Sequence, residues 1–219
     1  MNTMMSTRSI SGKRRRYAWL GAALCAAAWL AVALAVPSTG PAGADTFVRQ
    51  WMDALRSGGA TSFWKPAALM GESATIIAVT LALTALTAWR AGLARALWLP
   101  AAVGAAYALN TVLKLAVDRP RPEYAWGIEA DGASFPSGNA MLAVVLYGLA
   151  AAWLSRYGRI GRGGRAAVVL LAVMLTAAAG FSRLYFGVHY VSDIAAGYLA
   201  GGAMLLAVLA CSPPKRERH

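Results

Sequence analysis

The sequence predicts an all-α polytopic membrane protein, with six transmembrane helices in one bundle and both termini cytoplasmic. Three observations predict it. Hydrophobic residues fill 58% of the 219 positions and charged residues only 14%, which is too apolar for a soluble domain of this length. Six mostly apolar stretches approach the roughly 20 residues that cross a bilayer. The basic residues also divide unevenly between the two sets of loops, as the positive-inside rule requires.

In chain order the spans are expected at 17–36, 66–88, 96–117, 137–154, 166–182 and 189–210, the fifth being the shortest. Residues 1–16 form a basic cytoplasmic N-terminus, 17–210 the six-span domain and 211–219 a cytoplasmic tail, with outer loops at 37–65 and 118–136. Lys13 to Arg16, the apolar run after them and Ala42-Gly43-Ala44 imitate a secretory signal with its cleavage site. The run of about 20 residues exceeds the usual signal core, so an uncleaved first span is expected.

The net charge of +12 raises the question of nucleic acid, and its distribution answers it. With the N-terminus inside, the inner side holds Arg8, Lys13, Arg14, Arg15, Arg16, Arg90, Arg95, Arg156, Arg159, Arg162, Arg165, Lys215, Arg216 and Arg218 against the single acid Glu217. The outer side holds seven basic residues and eight acidic ones. The partner is therefore the bilayer, and no nucleic acid is expected. Cys25 and Cys211 belong to the first and last spans, and no structural disulfide is expected.

In the first outer loop, Phe47, Trp51 and Leu55 recur at helical spacing beside Arg49, Asp53 and Arg56. Either an interfacial helix or a solvated loop with incidental apolar residues fits that pattern. Trp19, Trp64, Trp89, Trp98 and Trp153 lie near span ends and read as interfacial anchors. The stretch from Arg156 to Arg165 reads as a flexible basic connector that carries the topology signal. Gly197 and Gly201 permit close approach of helices, either inside the bundle or across a dimer. The sequence does not decide the oligomeric state.

Four polar clusters far apart in sequence fall at the outer ends of the spans. Lys114 ends the third span and is followed by Arg119-Pro120-Arg121-Pro122, whose prolines stop the helix and extend the loop. Phe135-Pro136-Ser137-Gly138-Asn139 opens the fourth span, Ser182-Arg183 closes the fifth, and His189 and Asp193 begin the sixth. Singly, Lys114 can snorkel, the Arg-Pro pair can be a rigid turn and Ser137 can be a helix cap. Together they gather Lys114, Arg121 and Arg183 around one histidine, and charge clustered at membrane depth marks a functional site.

Three fixed cations without matching acids suit a phosphate. Phosphoryl transfer needs positioning and neutralisation of the non-bridging oxygens, which two guanidinium groups and an ammonium supply, so no metal or other cofactor is called for. Ser137 and Gly138 at a helix start add N–H groups and the positive end of the helix dipole, and glycine allows close approach. His189 and Asp193 are four apart and are expected on one helix face. The carboxylate would then accept from one ring nitrogen and leave the other free to attack phosphorus. The alternative is a pair that merely satisfies a partly buried histidine.

At these residues the chain resembles the type-2 phosphatidic acid phosphatase superfamily, whose signature is K-x6-R-P, P-S-G-H and S-R-x5-H-x3-D. Lys114 with Arg121-Pro122 matches the first part, Pro136-Ser137-Gly138-Asn139 stands for the second, and Ser182-Arg183 with His189 and Asp193 matches the third. The resemblance implies phosphate binding by Lys114, Arg121, Ser137, Gly138 and Arg183. It also implies a phosphohistidine on His189, oriented and charge-stabilised by Asp193. The chain departs from the family at Asn139, where the family has a histidine that protonates the leaving alkoxide.

Asn139 leaves three explanations open. It is a natural variant whose leaving group needs no proton, an introduced substitution that slows turnover, or the mark of a lipid-phosphate binding or transport protein with weak or no hydrolysis. General-acid catalysis is typically worth about 10²- to 10⁴-fold, so the choice matters. A diphosphate leaves as phosphate, far less basic than an alkoxide. The expected substrates are a prenyl diphosphate carrier, phosphatidic acid or phosphatidylglycerol phosphate, or a lipid-anchored saccharide phosphate, met at the extracytoplasmic face of the inner membrane. Glu72 either approaches the same cleft or pairs with Lys65 or another cation. Asp118, Glu123, Glu129 and Asp131 are further proton sources in the outer loop.

Overall fold

The computed structural model describes residues 2–37, 39–123, 125–158 and 160–212, without the side chains of 2–11 and 157. The side chain of Arg8 and the residues Arg159, Lys215, Arg216, Glu217 and Arg218, all expected inner-side charges, lie outside what is described. The described chain is helical: α1 Asn2–Ala35, α2 Gly43–Leu55, α3 Gly58–Leu69, α4 Ser73–Ala91, α5 Leu93–Ala96, α6 Trp98–Val117, α7 Gly138–Tyr157, α8 Arg162–Tyr185 and α9 Val191–Cys211. Six helices among the described residues are long and apolar enough to cross a membrane.

The spans α1, α4, α6 and α8 each turn one side to the bundle and leave large apolar side chains exposed on the other, among them Leu24, Leu34, Ile77, Leu81, Leu115 and Leu170. Such surface is stable only against hydrocarbon. The span α7 is the central one. Its Met141, Val145 and Leu146 are fully buried and pack with Ile76 of α4, Val103 of α6 and Ala179 of α8. At the rim α1 packs along α9, and Arg15 Nε donates to Ala210 O at 2.9 Å, a cation at a helix C-terminus. Both cysteines are free thiols.

The small residues of α9 set its approach to α7. A Cβ at Gly197 would lie 2.6 Å from Ser137 O, and one at Gly201 would lie 2.7 Å from Met141 O. Within this chain the Gly-x-x-x-Gly spacing thus serves packing inside the bundle.

Three expected boundaries are corrected. Residues 66–69 belong not to the second span but to α3, and the chain turns at Gly71, where a Cβ would lie 2.9 Å from that of Asn139. The fifth span is not the shortest, because α8 runs for 24 residues. Hydropathy registers only its hydrocarbon part, whereas helical hydrogen bonding continues into the polar interface at both ends. The basic connector shrinks accordingly to the few residues between Tyr157 and Arg162. The sixth span begins at Val191, so His189 precedes it.

The first outer loop is two helices. On α2, Asp45 and Met52 are buried while Phe47 and Trp51 are exposed by 72% and 54%. The helix presents its aromatic face outward and its acid inward, which is the arrangement of an interfacial helix facing lipid. Trp64 of α3 stacks on Phe181 with ring centroids 4.5 Å apart, so it is a packing residue between α3 and α8 as well as a span-end aromatic.

Candidate functional site

The ends of α6, α7, α8 and α9 that carry the polar clusters meet at one end of the bundle. Asp118 closes α6 in the left-handed conformation (φ 44°), accepting the turn of the chain into Arg119-Pro120-Arg121-Pro122. The returning segment is held by Ser134, whose N–H donates to Arg119 O at 2.8 Å. The cis Phe135–Pro136 peptide then leads into α7. Ser137 N donates to Asp193 O at 3.0 Å, so the Gly197 contact and this bond together fix the start of α7 against the start of α9.

His189 is buried in the short segment between α8 and α9. Its Nδ1 lies 3.4 Å from Asp193 Oδ2 and its Nε2 lies 3.2 Å from Arg121 Nη1. A guanidinium only donates, so these partners select the neutral tautomer with the proton on Nδ1 and the lone pair on Nε2. Burial pushes its pKa down to about 4. The Asp193 hydrogen bond and charge oppose that shift, while the charges of Arg121 and Lys114 reinforce it. The i, i+4 contact with Asp193 exists, but not on one helix face as expected. Asp193 is in the first turn of α9 and its Oδ2 also accepts from Tyr190 N at 2.9 Å, which folds the preceding residues back over the helix start.

Of the three expected cations, Arg121 and Lys114 act on His189 and Arg183 lies near Arg121, each held by a different route. Arg121 donates to Val188 O at 2.9 Å, to Asp131 O at 2.9 Å and to Gly132 O at 3.0 Å, which fixes its guanidinium between the loop and His189. Lys114 donates to Ala133 O. Arg183 is buried, donates to Ala68 O and pairs with Glu72 at 3.6 Å. Glu72 therefore pairs with a cation, Arg183, and through it borders the candidate site.

Ser137 stands at the N-cap position of α7 without capping it. Its Oγ is buried without a hydrogen-bond partner among the described residues, and so is Arg183 Nε. An unsatisfied buried polar group costs about 1–3 kcal/mol, so each of these two atoms has bonding capacity left for a ligand. At Gly138 the close neighbour is a side chain: a Cβ there would lie 2.8 Å from Asn110 Oδ1. Asn110, buried on α6, donates to Pro136 O at 3.3 Å. Asn139 follows on α7 against Gly71, the residue before Glu72.

Sequence reasoning missed Arg119, Asp45, Ser192 and Asn110. Arg119 has no exposed surface, and its two terminal nitrogens reach Asp193 Oδ1 and Asp45 Oδ2, each at 2.7 Å. Ser192 donates from N and from Oγ to Asp45 Oδ1 at 3.0 and 2.8 Å. Burial alone would raise the Asp45 carboxyl, but the bonds from Arg119, Ser192 and Ala42 outweigh it and hold it below its ordinary value. The available signal was a second arginine fixed by a proline, which demands an acid if buried.

A shallow cleft beside His189 is lined by Arg49, Met52 and Arg56 from α2 and its end, by Pro122, and by Leu184 and Val191. The arrangement can do one thing chemically: present a neutral imidazole lone pair to an electrophile whose negative charge is met by fixed cations and unpartnered donors.

Known proteins share sequence similarity and the fold with this chain. The model of the PAP2 superfamily matches residues 95–217, more than half of the chain. The chain belongs to the PAP2 superfamily. Within it, phosphatidylglycerophosphatase B of Bacillus subtilis (strain 168) is 34% identical over 93 residues, 42% of this chain and 46% of that protein. The chain thus matches about half the length of that relative.

Among solved structures, the first transmembrane PAP2 type phosphatidylglycerolphosphate phosphatase from Bacillus subtilis superposes with a TM-score of 0.80 at 23% identity, covering 86% of this chain and 94% of that one. Aquifex aeolicus LpxE superposes with a TM-score of 0.56 at 18% identity, over 75% and 93% of the two chains. At those identities the likeness is one of fold. The six-span, all-helical bundle of this chain is that of a transmembrane PAP2 protein.

Proposed function

We propose that this PAP2 protein is a metal-independent phosphatase of lipid phosphates or diphosphates, working through a phosphohistidine on His189 at the extracytoplasmic membrane face. The observation that carries the reading is the placement of His189, with Nδ1 against Asp193 and Nε2 against Arg121, beside the unpartnered Ser137 Oγ and Arg183 Nε. The Nε2 lone pair forms the N–P bond while the P–O bond to the leaving group breaks. Arg121 passes its N–H from Nε2 to a phosphoryl oxygen, and Lys114, Arg183, Ser137 and the α7 N-terminus take up the remaining charge. The Nδ1–H bond to Asp193 stabilises the cationic ring. Water then attacks phosphorus, breaks the N–P bond and releases inorganic phosphate.

The placement of the site outside follows from the basic residues expected on the opposite side. The B. subtilis relative is named for phosphatidylglycerophosphate, a phosphomonoester. Asn139 has no acidic proton to give an alkoxide, so we favour a substrate that leaves as phosphate, such as a prenyl diphosphate. The same residue supports the second reading, a lipid-phosphate binder without turnover.

Phosphate release from a panel of phosphatidic acid, phosphatidylglycerol phosphate and prenyl diphosphate vesicles separates them. The expected outcome is release from the diphosphate, its loss in His189→Ala, and a rise of about 10²-fold or more on the monoesters in Asn139→His. Binding without release in all three proteins overturns the phosphatase reading. Equal monoester rates with and without Asn139→His overturn the leaving-group argument alone.

A further inference from the structure

We propose that Arg119 and Asp45 are positioning residues for the nucleophile: together with Asp193 they form a buried ion triad that sets the charge behind His189. The inference rests on the reading of His189 as nucleophile and adds two residues to it. All three side chains lie beneath the surface, with Arg119 and Asp193 wholly buried and Asp45 only 2% exposed. The guanidinium is used as a fork, Nη1 to Asp193 and Nη2 to Asp45, each at 2.7 Å. The face of Tyr190 lies 4.1 Å from its centre, and Nη1 and Nη2 also donate to Ser192 Oγ and Gly40 O.

The charge count explains why two acids are present. Asp193, which faces the Nδ1 proton, is wholly out of water, where a carboxylate is costly without a cationic partner. Arg119 is that partner. One arginine against one acid would leave no net charge to face the ring when it becomes cationic on forming the N–P bond. Asp45 supplies the second negative charge, so the triad carries −1 and offsets the +1 of the phosphorylated imidazole. By taking Nη2, Asp45 also turns the fork so that Asp193 keeps Oδ2 for the ring and for Tyr190 N.

Asp45 lies on α2, the helix whose opposite face exposes Phe47 and Trp51. A single helix thus joins the lipid-facing surface to the nucleophile's carboxylate, and Ser192 N ties it to the start of α9. A structural salt bridge would need neither the second acid nor a shared contact with Asp193.

The test is rapid-quench measurement of phosphoenzyme formation by the full chain in lipid nanodiscs, using the panel lipid that the wild type hydrolyses. Asp45→Asn preserves shape and removes one charge. It is expected to slow phosphorylation about tenfold, the effect of about one pKa unit on the cationic ring, with KM unchanged. In an Asp193→Asn background the same change is expected to add no further loss, because it acts through Asp193. Arg119→Lys keeps the charge but cannot span both acids, and is expected to recover part of the rate lost in Arg119→Met.

Wild-type phosphorylation rates in Asp45→Asn, a loss confined to KM, or a loss that multiplies fully with Asp193→Asn each overturn the inference alone. Absence of any acid-labile phosphoenzyme in the wild type overturns the nucleophile reading and this inference with it. If Asp45→Asn does not fold, Arg119→Lys in the wild-type and Asp193→Asn backgrounds is judged by the same two criteria, rate and non-additivity.

Discussion

His189 illustrates how burial and neighbouring charge select a protonation state. An exposed imidazole is half protonated near pH 6.5, whereas desolvation beside Arg121 and Lys114 holds this one down to about 4 against the pull of Asp193. Between those two values the unfolded chain binds a proton that the folded site refuses, so stability falls as pH drops through that window. The lone pair on Nε2 remains available throughout it. The sequence has two histidines, and in a His219→Ala variant the ¹⁵N spectrum reports His189 alone. The expected outcome is a neutral, Nδ1-protonated ring that titrates near pH 4, and titration near 6.5 would show that burial and the neighbouring cations do not set its protonation state. Ser137 and Arg183 add the complementary feature at the same scale, since each keeps a buried polar atom without a partner among the described residues.

The elements deliver these residues through small side chains and helix ends. α9 approaches α7 because Gly197 and Gly201 leave room for Ser137 O and Met141 O, and the same approach puts Ser137 N onto Asp193 O at 3.0 Å. Gly197→Leu is therefore expected to destabilise the bundle by about 1–3 kcal/mol, the usual cost of overpacking, and to lower activity further by moving Ser137 away from Asp193. Thermal unfolding in detergent followed by tryptophan fluorescence measures the first effect, and phosphate release at a temperature where the variant is folded measures the second. An unchanged melting point would show that α7 and α9 do not need this contact. α2 contributes differently, with its aromatic face outward and Asp45 inward. Periodicity left helix and loop open there, and the fold shows a helix whose acid meets Arg119 while its aromatic stripe faces away.

Across the whole molecule, the six spans alternate in direction, so the 36–72 segment and the 118–137 segment share one end with His189, and Arg15 and Ala210 share the other. In the orientation we propose from the positive-inside rule, that second end faces the cytoplasm. A cysteine introduced at Glu123 in a background lacking Cys25 and Cys211 is expected to react with a membrane-impermeant maleimide added to intact cells. One introduced at Arg95 is expected to react only after lysis. The reverse pattern would put the site in the cytoplasm and overturn the extracytoplasmic placement.

The number of spans, the all-helical bundle and the residues that gather at one end are legible in the amino-acid order. Those signals are local: apolar run length, the prolines after Lys114, and the fixed spacing of Ser182, Arg183, His189 and Asp193. That His189 precedes its helix, that Glu72 pairs with Arg183, that Asn110 holds Pro136 O and that Arg119 joins Asp45 to Asp193 emerges from the folded chain alone. The physical reason is that a buried charge takes its meaning from its partner. Here the partners are 74 residues apart for Arg119 and each of its acids, and 147 apart for Asp45 and Ser192, a separation that no local pattern spans.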